Sequence, residues 1–217
     1  MIKNLVFDLG GVIVPLNRMA CIRAFNDVVG YKDFGDVLRS YRQVGYFEKF
    51  ETGRITAPVF RDIIRSHSVT VAPDGKPRTV TDSQIDYSLN CFLGEIPQER
   101  IDALLHFRQS YRMLLLSNTN PIGMGYCRKL FRNKGYDAKE IFEKLYLSYQ
   151  MKVAKPDPLI FRKMIDDSGI VPEETLYIDD SPANTDAGRA LGFHVVLFNS
   201  KDNLYGKISE YLEREQR

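Results

Sequence analysis

The chain has 217 residues, of which 44% are hydrophobic and 27% are charged. This length and composition predict an ordered protein with one substantial core and a smaller appended unit, and they exclude a disordered chain. The 30 Lys and Arg residues nearly balance the 28 Asp and Glu residues. The net charge of +2 therefore provides no basic surface of the kind that binds a nucleic-acid backbone, and we expect no nucleic-acid partner.

The cysteines and the apolar segments indicate the cell compartment. Cys21, Cys91 and Cys127 lie far apart in the sequence, which argues against a disulfide framework and against a zinc site. No apolar segment approaches the length of a transmembrane helix, and residues 1–13 carry an acid and lack the features of a signal peptide. We therefore expect a cytoplasmic protein with reduced thiols and no membrane association.

The first predicted strand, residues 5–7, is an apolar run that ends at an acid. Asp8 follows this run, and Gly10 and Gly11 come directly after it, as expected for a buried strand with a carboxylate at its carboxyl end and a flexible turn beyond. Further strands are predicted at residues 113–116, 145–147, 176–178 and 195–198. Helices are predicted at residues 101–108, 124–133, 158–167 and 182–191. This alternation predicts an α/β fold with a parallel sheet covered by helices on both faces.

The first and second predicted strands are separated by roughly a hundred residues, whereas a crossover needs only about a dozen. The inserted segment, residues 17–91, has a helical pattern, for example the apolar stripe of Val59, Phe60, Ile63 and Ile64. It predicts a small helical subdomain over the carboxyl edge of the sheet. The predicted domains are thus a core of residues 1–16 and 92–217 and a helical cap of residues 17–91.

Polar residues follow the strand-like runs at four places. They are Asp8, the pair Ser117 and Asn118, Lys155, and the pair Asp179 and Asp180. In an open α/β sheet, ligands bind at the carboxyl ends of the strands, so these groups are expected in one crevice.

The residue types at these positions favour phosphate chemistry with a divalent cation. Mg²⁺ prefers oxygen ligands and usually sits between one or two carboxylates and substrate phosphate oxygens, a role that suits Asp8 and Asp180. Three crowded carboxylates also require a cation to offset their repulsion. Lys155 and Ser117 supply donors to a phosphate group. Asp8 is the natural nucleophile, because a carboxylate can form an aspartyl-phosphate intermediate.

Four motifs in order resemble those of the haloacid dehalogenase-like superfamily. They are Phe-Asp-Leu-Gly-Gly-Val at residues 7–12, Leu-Ser-Asn-Thr-Asn at 116–120, Lys-Pro at 155–156, and Ile-Asp-Asp-Ser-Pro at 178–182 with Asn184. The resemblance covers most of the chain outside the insertion. It implies a Rossmann-like core, a helical cap inserted after the first strand, and Mg²⁺-dependent hydrolysis of a small phosphomonoester. In the branch that this first motif resembles, the expected substrate is a sugar phosphate.

The resemblance also implies a role for each motif residue. Asp8 would be the nucleophile and a metal ligand, Gly10 would offer its backbone carbonyl to the metal, and Asp180 would be the acidic ligand. Asp179 would hold metal-bound water or join the ligands. Ser117 and Asn118 would bind the transferring phosphoryl group together with Lys155. The expected partner is a small phosphorylated metabolite, and the oligomeric state is left open between monomer and homodimer.

One position departs from the pattern of the phosphatases in this superfamily. They generally carry a second Asp two residues after the nucleophile, where this chain has Gly10. Loss of such a general acid typically costs about 10² to 10⁴ in rate. Water, a hydroxyl of the substrate, or a cap side chain such as Asn17, Glu48 or His67 are the alternatives as proton donor.

Plainer interpretations stand beside these assignments. Ser117 and Asn118, or the segment 179–182, could only cap helices, and Lys155 could be a surface lysine. The aromatic residues at 46, 47 and 50 are more typical of a cap core than of a substrate pocket. As whole-protein alternatives, the chain could be a non-catalytic or weakly active phosphometabolite-binding protein, or a 2-haloacid dehalogenase. A dehalogenase needs neither a metal nor the acidic pair, so Asp179 and Asp180 argue against it.

Overall fold

The computed structural model describes residues 1–38, 45–68, 71, 75–76 and 79–215. Its centre is a five-stranded parallel sheet with the order β3-β2-β1-β4-β5. The strands are β1 Asn4–Phe7, β2 Arg112–Ser117, β3 Lys144–Leu147, β4 Thr175–Asp179 and β5 His194–Leu197. All five strands predicted from the sequence are confirmed, and so is the parallel arrangement.

The central position of β1 determines which strand ends meet. All four of its residues are buried, and it pairs with β2 on one side and β4 on the other. Phe7 is level with Leu115 and with Ile178, and the amide of Asp8 continues the ladder by donating to the carbonyl of Ile178 at 2.9 Å. The residues that follow these three strands therefore lie at one edge of the sheet.

The inserted segment is helical. Its elements are α1 Arg18–Ala24, which runs into a π-helical segment Phe25–Val29, then α2 Phe34–Val37, α3 Tyr46–Glu51, α4 Ala57–His67 and α5 Asp82–Asn90. They share an apolar cluster, in which Phe25 stacks on Phe34 and Phe50 stacks on Phe60, and Ile122 of the core helix at Pro121–Asn133 also belongs to it. Phe47 and Phe50 are buried in this cluster and Tyr46 packs against it, as the cap-core interpretation predicts. We call these helices the cap; the domain boundaries stay a prediction.

The apolar stripe predicted on α4 is only partly correct. Phe60 and Ile64, one helical turn apart, are fully buried in the cap cluster, whereas Val59 is 45% exposed. A helix buries the residues at spacing i and i+4, and Val59 lies about 100° around the helix axis from Phe60. The prediction for Val59 is therefore wrong.

A short two-stranded ribbon connects the cap to the core. Leu16 and Leu93 form an antiparallel bridge, the amide of Asn17 donates to the carbonyl of Phe92, and the amide of Gly94 donates to that of Pro15, both at 2.7 Å. The chain thus enters and leaves the cap at the same place.

The remaining helices cover the sheet. They are α6 Gln98–Phe107, α7 Pro121–Asn133, α8 Ala138–Ile141, α9 Ser148–Met151, α10 Pro158–Ser168, α11 Pro182–Ala190 and α12 Leu204–Glu215, with a 3₁₀ turn at Pro172–Glu174. On β1, Leu5 and Phe7 pack with α6, α7 and α12, whereas Val6 packs with α10 on the opposite face. Helices on both faces are therefore confirmed. Among the residues that the structure describes, no helix is long and apolar enough to cross a membrane.

Two of the predicted helices begin one turn earlier than expected, α6 at Gln98 and α7 at Pro121. For α7 the reason is a cap: the side-chain oxygen of Asn120 accepts a hydrogen bond from the amide of Gly123 at 2.9 Å, and Pro121 occupies the first helical position. Asn followed by Pro is a helix start signal. Ser117 and Asn118 do not cap this helix, so the capping interpretation of that pair is wrong.

Two glycines within helices give a matched test of packing between α11 and β4. A Cβ on Gly188 would lie 2.9 Å from Cδ1 of the buried Tyr177, whereas a Cβ on Gly125 of α7 would meet nothing within 4 Å. We expect Gly125→Ala to raise the free energy of unfolding by about 0.5–1 kcal/mol through helix propensity. We expect Gly188→Ala to lower it by about 1–3 kcal/mol through overpacking. Urea unfolding of both variants measures the difference, and an equal gain for both would contradict this packing.

Candidate active site

Asp8 lies at the carboxyl end of β1 with its side chain 11% exposed. Its Oδ1 accepts a hydrogen bond from the amide of Leu9 at 2.7 Å and contacts Nζ of Lys155 at 2.9 Å. Both of these donors bind the same oxygen. The other oxygen, Oδ2, is therefore available to a ligand or a reacting atom.

Lys155 is buried at the centre of the site, with its side chain only 1% exposed. Its Nζ lies 2.9 Å from Asp8 Oδ1, 2.7 Å from Asp179 Oδ2 and 2.8 Å from the carbonyl oxygen of Leu116. An ammonium has three N–H donors, so these three acceptors use all of them. Burial opposes its charge, but the carboxylates of Asp179 and Asp8 outweigh burial and raise the pKa of Lys155. The surface interpretation of Lys155 is wrong.

Asp179 is fully buried and both of its oxygens are occupied. Oδ2 accepts from Lys155 and from the hydroxyl of Tyr177. Oδ1 accepts from the amide of Ser181 at 2.8 Å and from the side-chain amide of Asn184 at 3.0 Å. With these donors in place, Asp179 orients Lys155, and joining a metal would require it to exchange a partner. The hydroxyl of Ser181 makes no cap bond to α11, although Ser181 stands at the N-cap position.

Asp180 approaches the turn after Asp8. Gly11 has a φ of +80°, and a Cβ on it would overlap the carboxylate of Asp180. This close approach explains why glycine stands at position 11, since it requires both a left-handed backbone and no side chain. One carboxylate oxygen from each of Asp8, Asp179 and Asp180 lies within 4.8 Å of the others. The structure thus brings together the three acids that the sequence predicts.

Burial and mutual repulsion raise the pKa values of two of these acids. Burial raises the pKa of Asp8 to about 7, against the effect of Lys155 and with help from the charges of Asp179 and Asp180. Burial and Asp179 raise the pKa of Asp180 to about 6. Three carboxylates and one ammonium leave an excess of two negative charges when all are ionised.

This donor set fits a hard divalent cation. The carboxylates supply the oxygen ligands that Mg²⁺ prefers, and their charge excess matches a dication. The amide of Gly11 donates to the carbonyl of Val14, and the amides of Ile13 and Val14 donate to the carbonyl of Leu9. None of these three amides donates to the carbonyl of Gly10. The predicted use of the Gly10 carbonyl as a ligand is compatible with these bonds and stays a prediction.

The two residues that end β2 have different surroundings. Ser117 is buried, and its hydroxyl makes only a long bond of 3.4 Å to the carbonyl of Asn118, so it is available to a ligand. The side chain of Asn118 pairs with the backbone of Lys155: Nδ2 donates to the carbonyl at 2.9 Å, and Oδ1 accepts from the amide at 2.8 Å. Asn118 therefore holds Lys155 in place. A contact of Asn118 with a phosphoryl group stays a prediction.

Sequence reasoning did not identify Arg100 on α6 as part of this region. It is 3% exposed, its Nη1 donates to the carbonyl of Val12 at 2.9 Å, and its Nη2 donates to that of Ser200 at 3.2 Å. The guanidinium also lies 5.4 Å from the ring centre of Phe198, and burial lowers its pKa. Arg100 thus supports the turn after Asp8 from within the core. The sequence signal for a buried Arg100 was its position one helical turn before the apolar Leu104, on the same face of the helix.

An apolar side chain lies beside the position of the missing acid. A Cβ on Gly10 would lie 3.3 Å from Cδ2 of Leu16, which is tighter than an ordinary van der Waals contact. Leu16 belongs to the ribbon between core and cap. A side chain at position 10 would therefore require the end of the Leu16 side chain to shift slightly.

The three cap side chains considered as proton donors have other partners. Asn17 caps α1 through its side-chain oxygen, Glu48 pairs with Arg54 at 3.3 Å, and His67 stacks on Tyr31. None of the contacts among the described residues joins these three side chains to the carboxylate cluster.

A cavity of about 780 Å³ lies apart from the carboxylate cluster, between cap helices α4 and α5 and core helix α7. Arg61, Tyr87 and Tyr126 are among its lining residues, and none of the three clustered acids lines it. The chemistry of the site therefore rests on the strand ends and not on this cavity.

The contact between Gly11 and Asp180 generates a prediction. Gly11→Ala would displace the carboxylate of Asp180, so we expect Mg²⁺ affinity to fall about 10–100-fold. Gly135→Ala is the matched control, because Gly135 has a φ of +87° and a Cβ there would meet nothing within 4 Å. Calorimetric titration with Mg²⁺ compares the two, and equal affinities would contradict the assignment of Asp180.

Comparison with known proteins agrees with this geometry. The family model described as haloacid dehalogenase-like hydrolase matches residues 2–192. The chain is 39% identical over 194 residues to D-ribitol-5-phosphate phosphatase of Bacteroides thetaiotaomicron. The matched region covers 89% of this chain and 90% of the relative.

Two solved structures are similar over nearly the whole chain. One is a wild-type HAD family enzyme from Bacteroides thetaiotaomicron in complex with magnesium and inorganic phosphate, with 39% identity, a TM-score of 0.83, and coverage of 93% of this chain and 96% of the other. The second is a predicted HAD-like family hydrolase from Porphyromonas gingivalis, with 39% identity, a TM-score of 0.85 and 98% coverage of both chains. Together with the four motifs at one sheet edge, these matches show that the chain belongs to the haloacid dehalogenase-like hydrolase family.

Proposed function

We propose that this protein is a Mg²⁺-dependent phosphatase that hydrolyses a small phosphomonoester of the sugar-phosphate class. The observation that carries the proposal is the cluster of the buried Asp8 and Asp179 and the half-buried Asp180 beside the ammonium of Lys155. Support comes from the similar phosphatase, which by name acts on D-ribitol 5-phosphate, and from the similar structure that holds magnesium and phosphate. D-Ribitol 5-phosphate is therefore the first substrate to test.

In the proposed reaction, Asp8 is the nucleophile. Its Oδ2 attacks the phosphorus atom, the bond between phosphorus and the ester oxygen breaks, and the leaving oxygen takes a proton to become an alcohol. Water then attacks phosphorus, and the bond to Asp8 breaks to release inorganic phosphate and the free carboxylate. Lys155 holds Oδ1 of Asp8 at 2.9 Å throughout, so the nucleophile stays oriented and its charge is balanced.

The remaining site residues have supporting roles in this proposal. Asp8, Asp180 and the carbonyl of Gly10 would hold Mg²⁺, and Asp179 would hold a metal-bound water or join the ligands by exchanging one of its present donors. When bound, Mg²⁺ offsets the charge of the carboxylates and of the phosphate group. The hydroxyl of Ser117 would donate to a phosphoryl oxygen. Because Gly10 carries no acid, the proton for the leaving oxygen comes from water or from a hydroxyl of the substrate.

Phosphate release measures the activity directly. We expect Mg²⁺-stimulated release of phosphate from D-ribitol 5-phosphate and related esters, and a loss of at least about 10³-fold in kcat for Asp8→Asn, because the amide cannot form the intermediate. The matched control is Asp186→Asn, since Asp186 lies on α11 with its side chain 70% exposed and should leave kcat unchanged.

Each other outcome of this assay selects a different function. Binding of phosphate esters without turnover by the wild-type protein would indicate a non-catalytic binding protein. Halide release from 2-haloacids in the presence of a chelator would indicate a dehalogenase. Either result would overturn the proposal.

The raised pKa values predict that Mg²⁺ affinity depends on pH. Asp8, with a pKa of about 7, and Asp180, with a pKa of about 6, bind protons below these values in the metal-free site, so the cation must displace them. We expect the affinity to be constant above pH 8, to fall by about tenfold per pH unit between pH 7 and pH 6, and to fall more steeply below pH 6, where Asp180 is protonated as well. Calorimetry in two buffers of different ionisation enthalpy counts the released protons. An affinity that does not change between pH 8 and pH 6 would contradict these values.

A further inference from the structure

The end of α3 and the turn after it, residues 51–53, form a cap loop that is docked on core helix α9. The hydroxyl of Ser148 donates to the carbonyl of Glu51 at 2.7 Å, and Nζ of Lys152 donates to the carbonyl of Gly53 at 2.8 Å. Both acceptors are backbone carbonyls. The docking therefore depends on the path of the cap backbone and not on cap side chains.

Gly53 makes this close approach possible. Its φ is +61°, and a Cβ on it would overlap the carbonyl oxygen of Tyr149 and lie 2.7 Å from Nζ of Lys152. Any residue with a side chain would push the loop away from α9. At position 53, the addition of one methyl group would therefore prevent the loop from docking on α9.

Ser148 connects this loop to the phosphate-binding end of β2. It is fully buried and accepts a hydrogen bond from the amide of Thr119 at 2.9 Å. Its single O–H has two acceptors within reach, the carbonyl of Glu51 at 2.7 Å and the carbonyl of Thr119 at 3.0 Å. A hydroxyl has one proton to donate, so these two acceptors compete for it.

The segment that Ser148 contacts carries groups of the site. Thr119 is bonded to Asn118, whose side chain holds the backbone of Lys155, and Ser117 precedes them. A displacement of this peptide would therefore reach both Ser117 and Lys155. The chain of contacts runs from the cap loop through Ser148 to the nucleophile.

We propose that Ser148 is a positioning residue that links docking of cap loop 51–53 to the orientation of residues 117–119. With the loop docked, the hydroxyl donates to Glu51 and supports the amide of Thr119. With the loop undocked, the hydroxyl turns to the carbonyl of Thr119, which shifts the peptide of Thr119 from its docked position. The inference rests on the proposed phosphatase function, because it assigns a role in that reaction.

A double-mutant cycle in the full chain tests the link. Gly53→Ala undocks the loop and Ser148→Ala removes the hydroxyl. We expect each to lower kcat for D-ribitol 5-phosphate about 10–100-fold. The double variant should be no slower than the slower single variant, because both changes break one link. Gly45→Ala is the matched control, since Gly45 lies in the cap with a φ of +77° and a Cβ there would meet nothing within 4 Å. Effects of Gly53→Ala and Ser148→Ala that multiply in the double variant would overturn the proposal.

Hydrogen exchange gives a readout that needs no activity. We expect the amides of residues 117–120 to exchange faster in Gly53→Ala than in the wild type and in Gly45→Ala, by about tenfold or more. Unchanged exchange there would overturn the link even if kcat falls. Absence of phosphate release from the wild-type protein would overturn the phosphatase function, and the exchange experiment would still decide whether cap loop and strand end are coupled.

Discussion

The structure depends on one buried ammonium group. Nζ of Lys155 joins the nucleophile candidate Asp8, the fully buried Asp179 and the backbone of β2 at Leu116. Burying these charges is costly unless they are paired and all their hydrogen bonds are made, and here the three N–H donors have three acceptors. The parallel register makes this possible, because β1, β2 and β4 end side by side and deliver their polar residues to the same point.

Around this ammonium, the turn after β1 is shaped by two glycines with different roles. Gly11 allows the carboxylate of Asp180 to approach the backbone, whereas Gly10 leaves the position two residues after Asp8 without an acid and lies beside Leu16. Arg100 supports the same turn through backbone carbonyls. The turn is therefore built for a negatively charged cluster without a general acid. The proposed reaction is one in which the leaving oxygen obtains its proton from outside the protein.

The cap has its own apolar cluster, which Ile122 of core helix α7 joins, and it also meets the core at the ribbon and at α9. The ribbon of Leu16 and Leu93 pairs the two chain segments that enter and leave the cap, and the loop at residues 51–53 contacts α9. The loop contact uses backbone carbonyls and a glycine, so it adds little apolar burial and is suited to form and break. Its nearness to Thr119 connects the position of the cap to the strand ends.

The amino-acid sequence by itself determined the five strands, the parallel α/β arrangement and the four groups of polar residues at the strand ends. It did so because buried parallel strands must be continuous apolar runs, and any polar residue that interrupts them stands out. The helix starts at Gln98 and Pro121 were both predicted one turn too late, although the start at Pro121 is encoded locally by the cap from Asn120. Only the tertiary structure decided that Asn118 holds Lys155 and that Asp179 has both oxygens occupied. It also decided that Arg100 supports the turn after Asp8 and that Ser148 contacts both the cap and Thr119. The physical reason is that these contacts join segments far apart in the chain, 97 residues for Ser148 and Glu51, and a hydrogen bond across such a distance leaves no periodic pattern in the sequence.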